Sequence, residues 1–161
     1  MSPSNFHTAF IAFGANLGDR ARNIGDALGR LGAIPGVKIR KVSSLLENAA
    51  VGGPADAPPF LNGIAEVETS LEPRALLAEL LRIEHELGRR RIEKLEPRQI
   101  DLDIVLFDSR IIEAPDLTIP HPRMHLRRFV LEPLAELAPG VVHPVLGKTI
   151  EQLLSTLPGE P

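Results

Sequence analysis

Asp101 and Asp103 are the residues of this sequence that most clearly suggest chemistry, because they lie two apart in an otherwise apolar run, IDLDIVLF. That run predicts a β-strand over residues 100–107. Alternate residues of a strand point to the same face, so both carboxylates are expected to emerge side by side. Val105 and Phe107 are predicted to continue that face. The opposite face is predicted to carry Leu102, Ile104 and Leu106.

The aspartate pair has two explanations. Neighbouring carboxylates repel each other unless a cation lies between them. Mg²⁺ binds through one or two carboxylates together with substrate phosphates, so the pair is a candidate metal site for a phosphate-bearing ligand. Two solvent-facing acids on an edge strand, where they deter aggregation, explain the spacing equally well.

Basic side chains flank this strand in the sequence on both sides. Upstream and downstream of it stand Arg89, Arg90, Arg91, Lys94, Arg98, His121, Arg123, His125, Arg127 and Arg128. Guanidinium groups bind phosphate oxygens through two parallel hydrogen bonds, which suits a complex of a metal ion and a polyphosphate. The alternative is a solvated loop whose arginines pair with nearby glutamates.

Three other features are ambiguous when taken alone. The turn at residues 14–19 joins a strand to a helix, but it matches neither phosphate-binding glycine motif, and a capped tight turn explains it as well. His121 lies between two prolines and beside the arginines, so it could donate to phosphate or be structural. Phe60 and Asn62 follow a long loop and could be a core residue and a turn residue.

The elements that must position these side chains follow from the apolar pattern. Strands are predicted over residues 8–14, 37–46, 61–67 and 100–107. Helices are predicted from the cap Asp19 to Gly32, from Pro73 to Gly88 and over residues 124–137, the last kinked or divided at Pro133. Loops are predicted over residues 48–59 and 89–99, a Pro-rich segment runs to residue 122, and a weak strand and a short helix end the chain. This order predicts an α+β fold, best matched by the ferredoxin-like arrangement.

Composition excludes several classes of protein. The chain has 161 residues, 43% of them hydrophobic, and a net charge of −3, which predicts one globular domain over residues 1–161 and argues against a nucleic-acid partner. It has no Cys, so disulfides and thiolate metal sites are excluded. No run is long and apolar enough to span a membrane and no signal peptide is recognised, so a cytoplasmic protein is expected. It is also expected to be a monomer.

Five blocks of residues resemble one family. FIAFGANLG at residues 10–18, FLN at 60–62, PRQIDLDIVLF at 97–107, IPHPRM at 119–124 and RRFVLEPL at 127–134 resemble hydroxymethyl-dihydropterin pyrophosphokinase. The family-like core covers about residues 8–154. The resemblance implies a ferredoxin-like α-β-α sandwich with a mostly antiparallel sheet. It also implies an enzyme of folate biosynthesis that transfers pyrophosphate from ATP to the hydroxymethyl group of a reduced pterin, releasing AMP.

The resemblance also implies residue roles. Asp101 and Asp103 match two Mg²⁺ ligands, with two ions expected, and Arg89 and Arg91 match catalytic arginines that reach the triphosphate. ATP-binding positions match Glu84, Arg98, Ile104, Thr118, His121 and Arg127. Pterin-binding positions match Asn48, Val51, Phe60, Asn62 and Phe129. Two phenylalanine rings stacked on a flat heterocycle, with an amide at its polar edge, are a physically reasonable pocket.

The sequence departs from the family in places. Asn48 and Ala49 replace a common Thr and Pro, and Asp116 stands where some members have Arg. Leu95 and Glu96 replace a Trp-Gly pair, which predicts weaker nucleotide affinity or a less tightly closed loop. A non-catalytic pterin- or nucleotide-binding module on the same scaffold is therefore the alternative, and a phosphotransferase for another hydroxymethyl heterocycle is a third possibility.

Overall fold

The computed structural model describes residues 6–16, 18–48, 59–88 and 100–158. The strands are β1 (His7–Ala15), β2 (Val37–Val42), β3 (Leu46–Asn48), β4 (Phe60–Thr69), β5 (Asp101–Phe107), β6 (Ile112–Ala114) and β7 (Leu117–Ile119). The helices are α1 (Arg20–Gly32), α2 (Pro73–Glu86), α3 (Arg128–Leu137) and α4 (Ile150–Ser155), with a 3₁₀ turn at Met124–Leu126. None of these helices has the length and apolarity needed to cross a bilayer.

The main sheet has the strand order β2-β4-β1-β5, with β3 also paired to β4. Each of these pairings is antiparallel. Helices α1 and α2 follow β1 and β4, as in the βαββαβ arrangement of a ferredoxin-like fold. Helices α3 and α4 pack on the other face of the sheet, so the α-β-α sandwich and the mostly antiparallel sheet are confirmed.

The face of the sheet under α1 and α2 is closed by an apolar core. In α1, Ile24, Ala27 and Leu31 recur at helical spacing and are buried, and the Asp19 side chain caps the helix by accepting the Arg22 N–H at 3.2 Å. Helix α2 begins at Pro73, a residue suited to the first turn. Its buried residues include Leu76, Leu80 and Ile83.

The opposite face of the sheet is only partly covered. Val130, Leu131 and Leu134 of α3 and Ile150 and Leu153 of α4 pack over it. They meet Phe10, Ile64, Val105 and Leu106 from the strands. Towards the start of β4 and β5 this cover ends, and the sheet surface is open to the cavity described below.

The alternation predicted for β5 holds through Val105, which lies on the same face as the aspartates, and is wrong for Leu106 and Phe107. Opposite the adjacent pair Phe10 and Ile11, the partners are Leu106 and Ile104, so Val105 is an extra residue. Such a β-bulge reverses the faces of the residues that follow it. Leu106 therefore packs with Val105 under α3, while the Phe107 side chain joins the core under α1 and α2.

Three predicted segments also differ in extent. The strand over 37–46 is two strands, β2 and β3, separated at residues 43–45. The Pro-rich segment contains the β6–β7 hairpin. The helix over 124–137 divides before α3, at the extended residue Arg127, and not at Pro133. Pro133 lacks the N–H for an i−4 hydrogen bond. It is buried in α3 together with Leu134, and this packing stabilises the helix on both sides of the proline.

Candidate active site

One cavity of about 560 Å³ opens between the sheet and the segment that leads into α3. Its size is within the range of small-molecule sites. The side chains around it come from β1, β4, β5 and residues 121–130. Among them are seven of the predicted site residues: Phe60, Asn62, Asp101, Asp103, His121, Arg127 and Phe129.

The register of three strands determines how these residues face one another. Gly14 of β1 is opposite Asn62 of β4 on one side and opposite Asp101 of β5 on the other. Neighbouring strands lie about 4.8 Å apart, so the backbones of Asn62 and Asp101 are separated by about 10 Å. The cavity floor between them is formed by Gly14 and Ala12.

Gly14 is required because of its close approach to Asn62. A Cβ on Gly14 would lie 2.5 Å from Oδ1 of Asn62 and 3.6 Å from the Phe60 ring. The missing side chain therefore leaves the space that the Asn62 amide occupies. Asn62 itself is only 9% exposed. A buried amide in a cavity that two aromatic rings also line is suited to reading the polar edge of a flat ligand.

Asp101 and Asp103 both line the other end of the cavity, as their spacing predicts. Asp101 is half-buried and Asp103 is exposed. In the described ranges, no group of three His, Cys, Asp or Glu residues is arranged to hold a metal ion. The donor set is thus two carboxylates, which suits Mg²⁺ because this ion completes its shell with water and substrate phosphate.

His121 lines the cavity together with the aspartates, and two hydrogen bonds fix its position. Its N–H donates to the Val105 carbonyl at 3.0 Å, which ties the segment after β7 to β5. The Arg123 N–H donates to Nδ1 of the His121 ring at 3.2 Å. Since Nδ1 is an acceptor, the proton of the neutral ring is on Nε2.

The charge state of His121 depends on its surroundings in the cavity. Burial is the largest effect and lowers the pKa of the ring. Asp103 raises this pKa, while the positive charges of Arg127 and Arg123 lower it. The net shift is downward, so the neutral ring, with a donor at Nε2, is favoured at neutral pH.

Arg127 connects the charged end of the cavity to its aromatic end. Its guanidinium carbon lies 5.6 Å from the centre of the Phe129 ring, in a cation–π contact. The adjacent Arg128 lines the cavity as well, but it also pairs with Glu132 at 3.5 Å and donates to the Pro158 carbonyl. Arg127 is therefore the better placed of the two for a phosphate.

Glu84 has a structural contact that its sequence position did not suggest. It is 3% exposed, and its carboxylate accepts the Leu102 N–H at 2.7 Å. Leu102 lies between the two aspartates on β5, a strand at the edge of the sheet. Glu84 thus satisfies a backbone donor of the edge strand and secures the segment that carries the carboxylates.

Of the other predicted residues that the structure describes, Ile104 and Thr118 do not line the cavity. Ile104 is buried in the core under α1 and α2, and Thr118 lies in the β6–β7 hairpin. Arg89, Arg91, Arg98 and Val51 lie outside the described residues, as do Leu95 and Glu96. Asn48 pairs with Phe60 through the backbone of β3.

Asp116, which stands where some members of the family have Arg, forms an ion pair with Arg74 on α2. This ion pair lowers the pKa of the Asp116 carboxyl and neutralises its charge locally.

Several lining residues had no individual role assigned from the sequence, and Arg123 and Gly14 are the two that bear most on the site. Arg123 belongs to the basic cluster around His121, but only the fold shows that it faces the cavity. Gly14 is part of an ambiguous turn, and its importance depends on strand register. The closeness of Arg123 to His121 in the sequence could have indicated that Arg123 belongs to the site. For Gly14 there was no comparable local signal.

A family model matches most of this chain. Residues 10–139 match the model of 7,8-dihydro-6-hydroxymethylpterin-pyrophosphokinase. A Synechocystis 2-amino-4-hydroxy-6-hydroxymethyldihydropteridine pyrophosphokinase is 42% identical over 158 residues, which cover 96% of this chain and 80% of that protein. The Pseudomonas aeruginosa protein of the same name is 40% identical over 94% of this chain and 92% of its own length.

A solved structure supports the same fold. The HPPK-DHPS chain of Plasmodium falciparum, wild type with pteroate, aligns with a TM-score of 0.71 over 93% of this chain and 42% of that longer chain. The sequence identity in this alignment is 18%, so it bears on the fold alone. The family model and the close relatives go further: this chain belongs to the 7,8-dihydro-6-hydroxymethylpterin-pyrophosphokinase family.

Proposed function

We propose that this cavity transfers pyrophosphate from ATP to the hydroxymethyl group of 6-hydroxymethyl-7,8-dihydropterin and releases AMP, a step of folate synthesis. The observation that carries the proposal is the division of one cavity into two chemically different ends. Phe60 and the buried Asn62 amide lie on β4 at one end, and the paired carboxylates lie on β5 at the other, with Gly14 of β1 between them. A transfer between a flat heterocycle and a polyphosphate needs both ends in contact.

At the aromatic end, Phe60 and Phe129 stack on the pterin and Asn62 hydrogen bonds its polar edge. Gly14 supports this arrangement because a larger residue would displace the Asn62 amide. Asn48 and Val51 are proposed to complete the ring site, on the basis of the family resemblance. The floor of small residues then leads the hydroxymethyl group towards Asp101.

At the charged end, Asp101 and Asp103 are proposed to hold Mg²⁺, with two ions expected. When bound, Mg²⁺ supplies charge neutralisation at the phosphates and at the departing AMP oxygen. Arg127 contacts phosphate oxygens, and the Nε2–H of His121 donates to them without changing its charge. Phosphoryl transfer depends on alignment and electrostatics more than on covalent catalysis, so these residues act by holding the reacting groups in line.

Several further assignments are proposed from the resemblance. Arg89 and Arg91 act on the triphosphate, and Arg98 binds ATP. Ile104 and Thr118 lie near the nucleotide base and sugar, and Glu84 supports that site through its bond to β5. We also propose that residues 1–161 form a single domain that acts as a cytoplasmic monomer without a nucleic-acid partner, in keeping with the near-neutral charge.

The test is an AMP-release assay with ATP, Mg²⁺ and the pterin. Wild type should release AMP and not ADP. Asp103→Ala should lower turnover by about 10²-fold or more, because it removes half of the carboxylate pair. The control is Arg40→Met, which removes a surface ion pair between β2 and β4, away from the cavity. Binding of both ligands without AMP release would instead favour the non-catalytic module.

A further inference from the structure

Arg20, the first residue of α1, connects three parts of the chain. Its Nη1 lies 2.8 Å from a carboxylate oxygen of Glu47 on β3. The same nitrogen donates to the Pro59 carbonyl at 2.8 Å. Glu47 and Pro59 stand on opposite sides of residues 49–58, so one guanidinium ties both flanks of that segment to α1.

The position of Arg20 in its helix suggests that it is present for these contacts. The N-terminus of a helix carries partial positive charge, which disfavours a cation there. Helix α1 has no acidic residue in its first turn, and Arg22 adds a second positive charge. Helix stability therefore gives no reason for an arginine at this site, whereas the two contacts do.

What Arg20 holds is the start of β4, the strand that supplies the aromatic end of the cavity. Phe60 follows Pro59 directly and pairs with Asn48, and Asn62 pairs with Leu46. Glu136 on α3 also accepts the Ser44 N–H at 3.1 Å, which holds the approach to β3. That second tie does not involve Pro59, so of the two ties only Arg20 joins both flanks.

We propose that Arg20 is a positioning residue for the pterin site. Through Glu47 and Pro59 it sets where Phe60 and Asn62 lie, and so it contributes to pterin affinity while leaving the nucleotide end unaffected. This proposal deepens the proposed function and rests on it for the identity of the ligand. An ordinary surface ion pair, in contrast, contributes little and would affect neither substrate selectively.

The experiment compares Arg20→Met with Arg40→Met in the full chain. Arg40 pairs with Glu68 at 2.9 Å and ties β2 to the far end of β4, so it is a matched ion pair away from the cavity. Arg20→Met should raise KM for the pterin roughly tenfold, the effect of losing a charged hydrogen-bonding group. KM for ATP should be unchanged and kcat should fall less than about threefold. Arg40→Met should change none of these constants.

Two further variants keep the test decisive if Arg20→Met folds poorly. Glu47→Ala removes the β3 partner alone and should raise KM for the pterin by less than Arg20→Met does. Arg20→Lys retains the charge and should recover part of the lost affinity. An unchanged pterin KM in Arg20→Met, or equal rises in both KM values, overturns the proposal.

Calorimetry separates this proposal from the proposed function. The pterin is titrated into wild type and Arg20→Met with Mg²⁺ and a non-hydrolysable ATP analogue, so that no turnover is needed. A wild type that binds the pterin but releases no AMP in the kinetic assay overturns the proposed reaction, and a weaker Arg20→Met complex still supports the role of Arg20. Equal pterin affinities overturn the role of Arg20 alone. A wild type that does not bind the pterin overturns both.

Discussion

Two His-Pro dipeptides in this protein have the same local geometry and different surroundings. In each, the histidine Nδ1 accepts the N–H of the second residue along the chain. Arg123 donates to His121 at 3.2 Å, and Val145 donates to His143 at 3.2 Å, with Leu146 donating to His143 as well. The bond leaves each neutral ring with its proton on Nε2.

The difference between the two histidines lies in what surrounds the ring. His121 lines the cavity together with Asp103 and Arg127. His143 is 4% exposed, does not line that cavity, and packs edge-on against the ring of His125, 6.2 Å away. A short local motif therefore determines which nitrogen carries the proton, and the tertiary fold determines whether that proton is available to a ligand.

The largest expected difference is in activity. His121→Ala removes a donor at the phosphate end and should lower kcat/KM for AMP release by about 10²-fold, as for loss of one transition-state hydrogen bond. Its unfolding midpoint should fall only slightly, because the ring is half-buried and the one N–H that loses its acceptor belongs to the exposed Arg123. Steady-state AMP release and thermal unfolding measure both. Normal activity in His121→Ala would show that the His121 ring, like the His143 ring, does not act on the substrate.

His143→Ala should have the opposite effect. It leaves two backbone N–H groups without their acceptor and removes a buried ring, so the free energy of unfolding should fall by about 1–2 kcal/mol. Denaturant unfolding measures the loss. The activity of the folded fraction should stay within about twofold of wild type. A tenfold loss of kcat without loss of stability would contradict the structural role.

Asparagine at each position sharpens the comparison, since its Oδ1 can accept the same backbone N–H. His143→Asn should recover part of the stability that His143→Ala loses, by a few tenths to about 1 kcal/mol. His121→Asn should remain nearly as inactive as His121→Ala, because the shorter amide satisfies the turn but does not reach as far into the cavity. Recovery of activity in His121→Asn would show that only the turn matters.

The smallest effect is in the pH dependence of stability. Burial lowers the pKa of His143, and the charge of His125 lowers it further. The unfolded chain therefore binds a proton at this residue more readily than the folded chain does. Its contribution to stability is complete above the unfolded pKa of about 6.5 and is lost as the pH falls towards the lower folded pKa.

His143→Asn should consequently weaken the decline in unfolding free energy between about pH 7 and pH 5. Urea unfolding at several pH values measures this slope. His121→Asn serves as the companion variant, because the pKa of His121 is lowered too and its own share of the slope can be compared. A slope identical to wild type in His143→Asn would show that its surroundings are equally favourable to both charge states.

Much of the fold follows from local pattern. The Asp19 cap, the helical spacing of Ile24, Ala27 and Leu31, and the first-turn Pro73 all lead to the helices that are observed. The β5 bulge does not follow, because an extra residue in a strand is decided by the partner strand. The divided segment at Arg127 is similar: Pro133 is the stronger local signal, yet burial of its neighbours outweighs it.

The sequence by itself determined that Asp101 and Asp103 share a face, because strand periodicity is a property of the chain alone. It also determined the family, through motifs distributed over most of the chain. Only the tertiary structure decided that Asn62, Gly14 and Asp101 form one row, and that Arg20 joins Glu47 to Pro59. Such contacts join residues far apart in sequence, and they depend on strand register and packing, which no local pattern encodes.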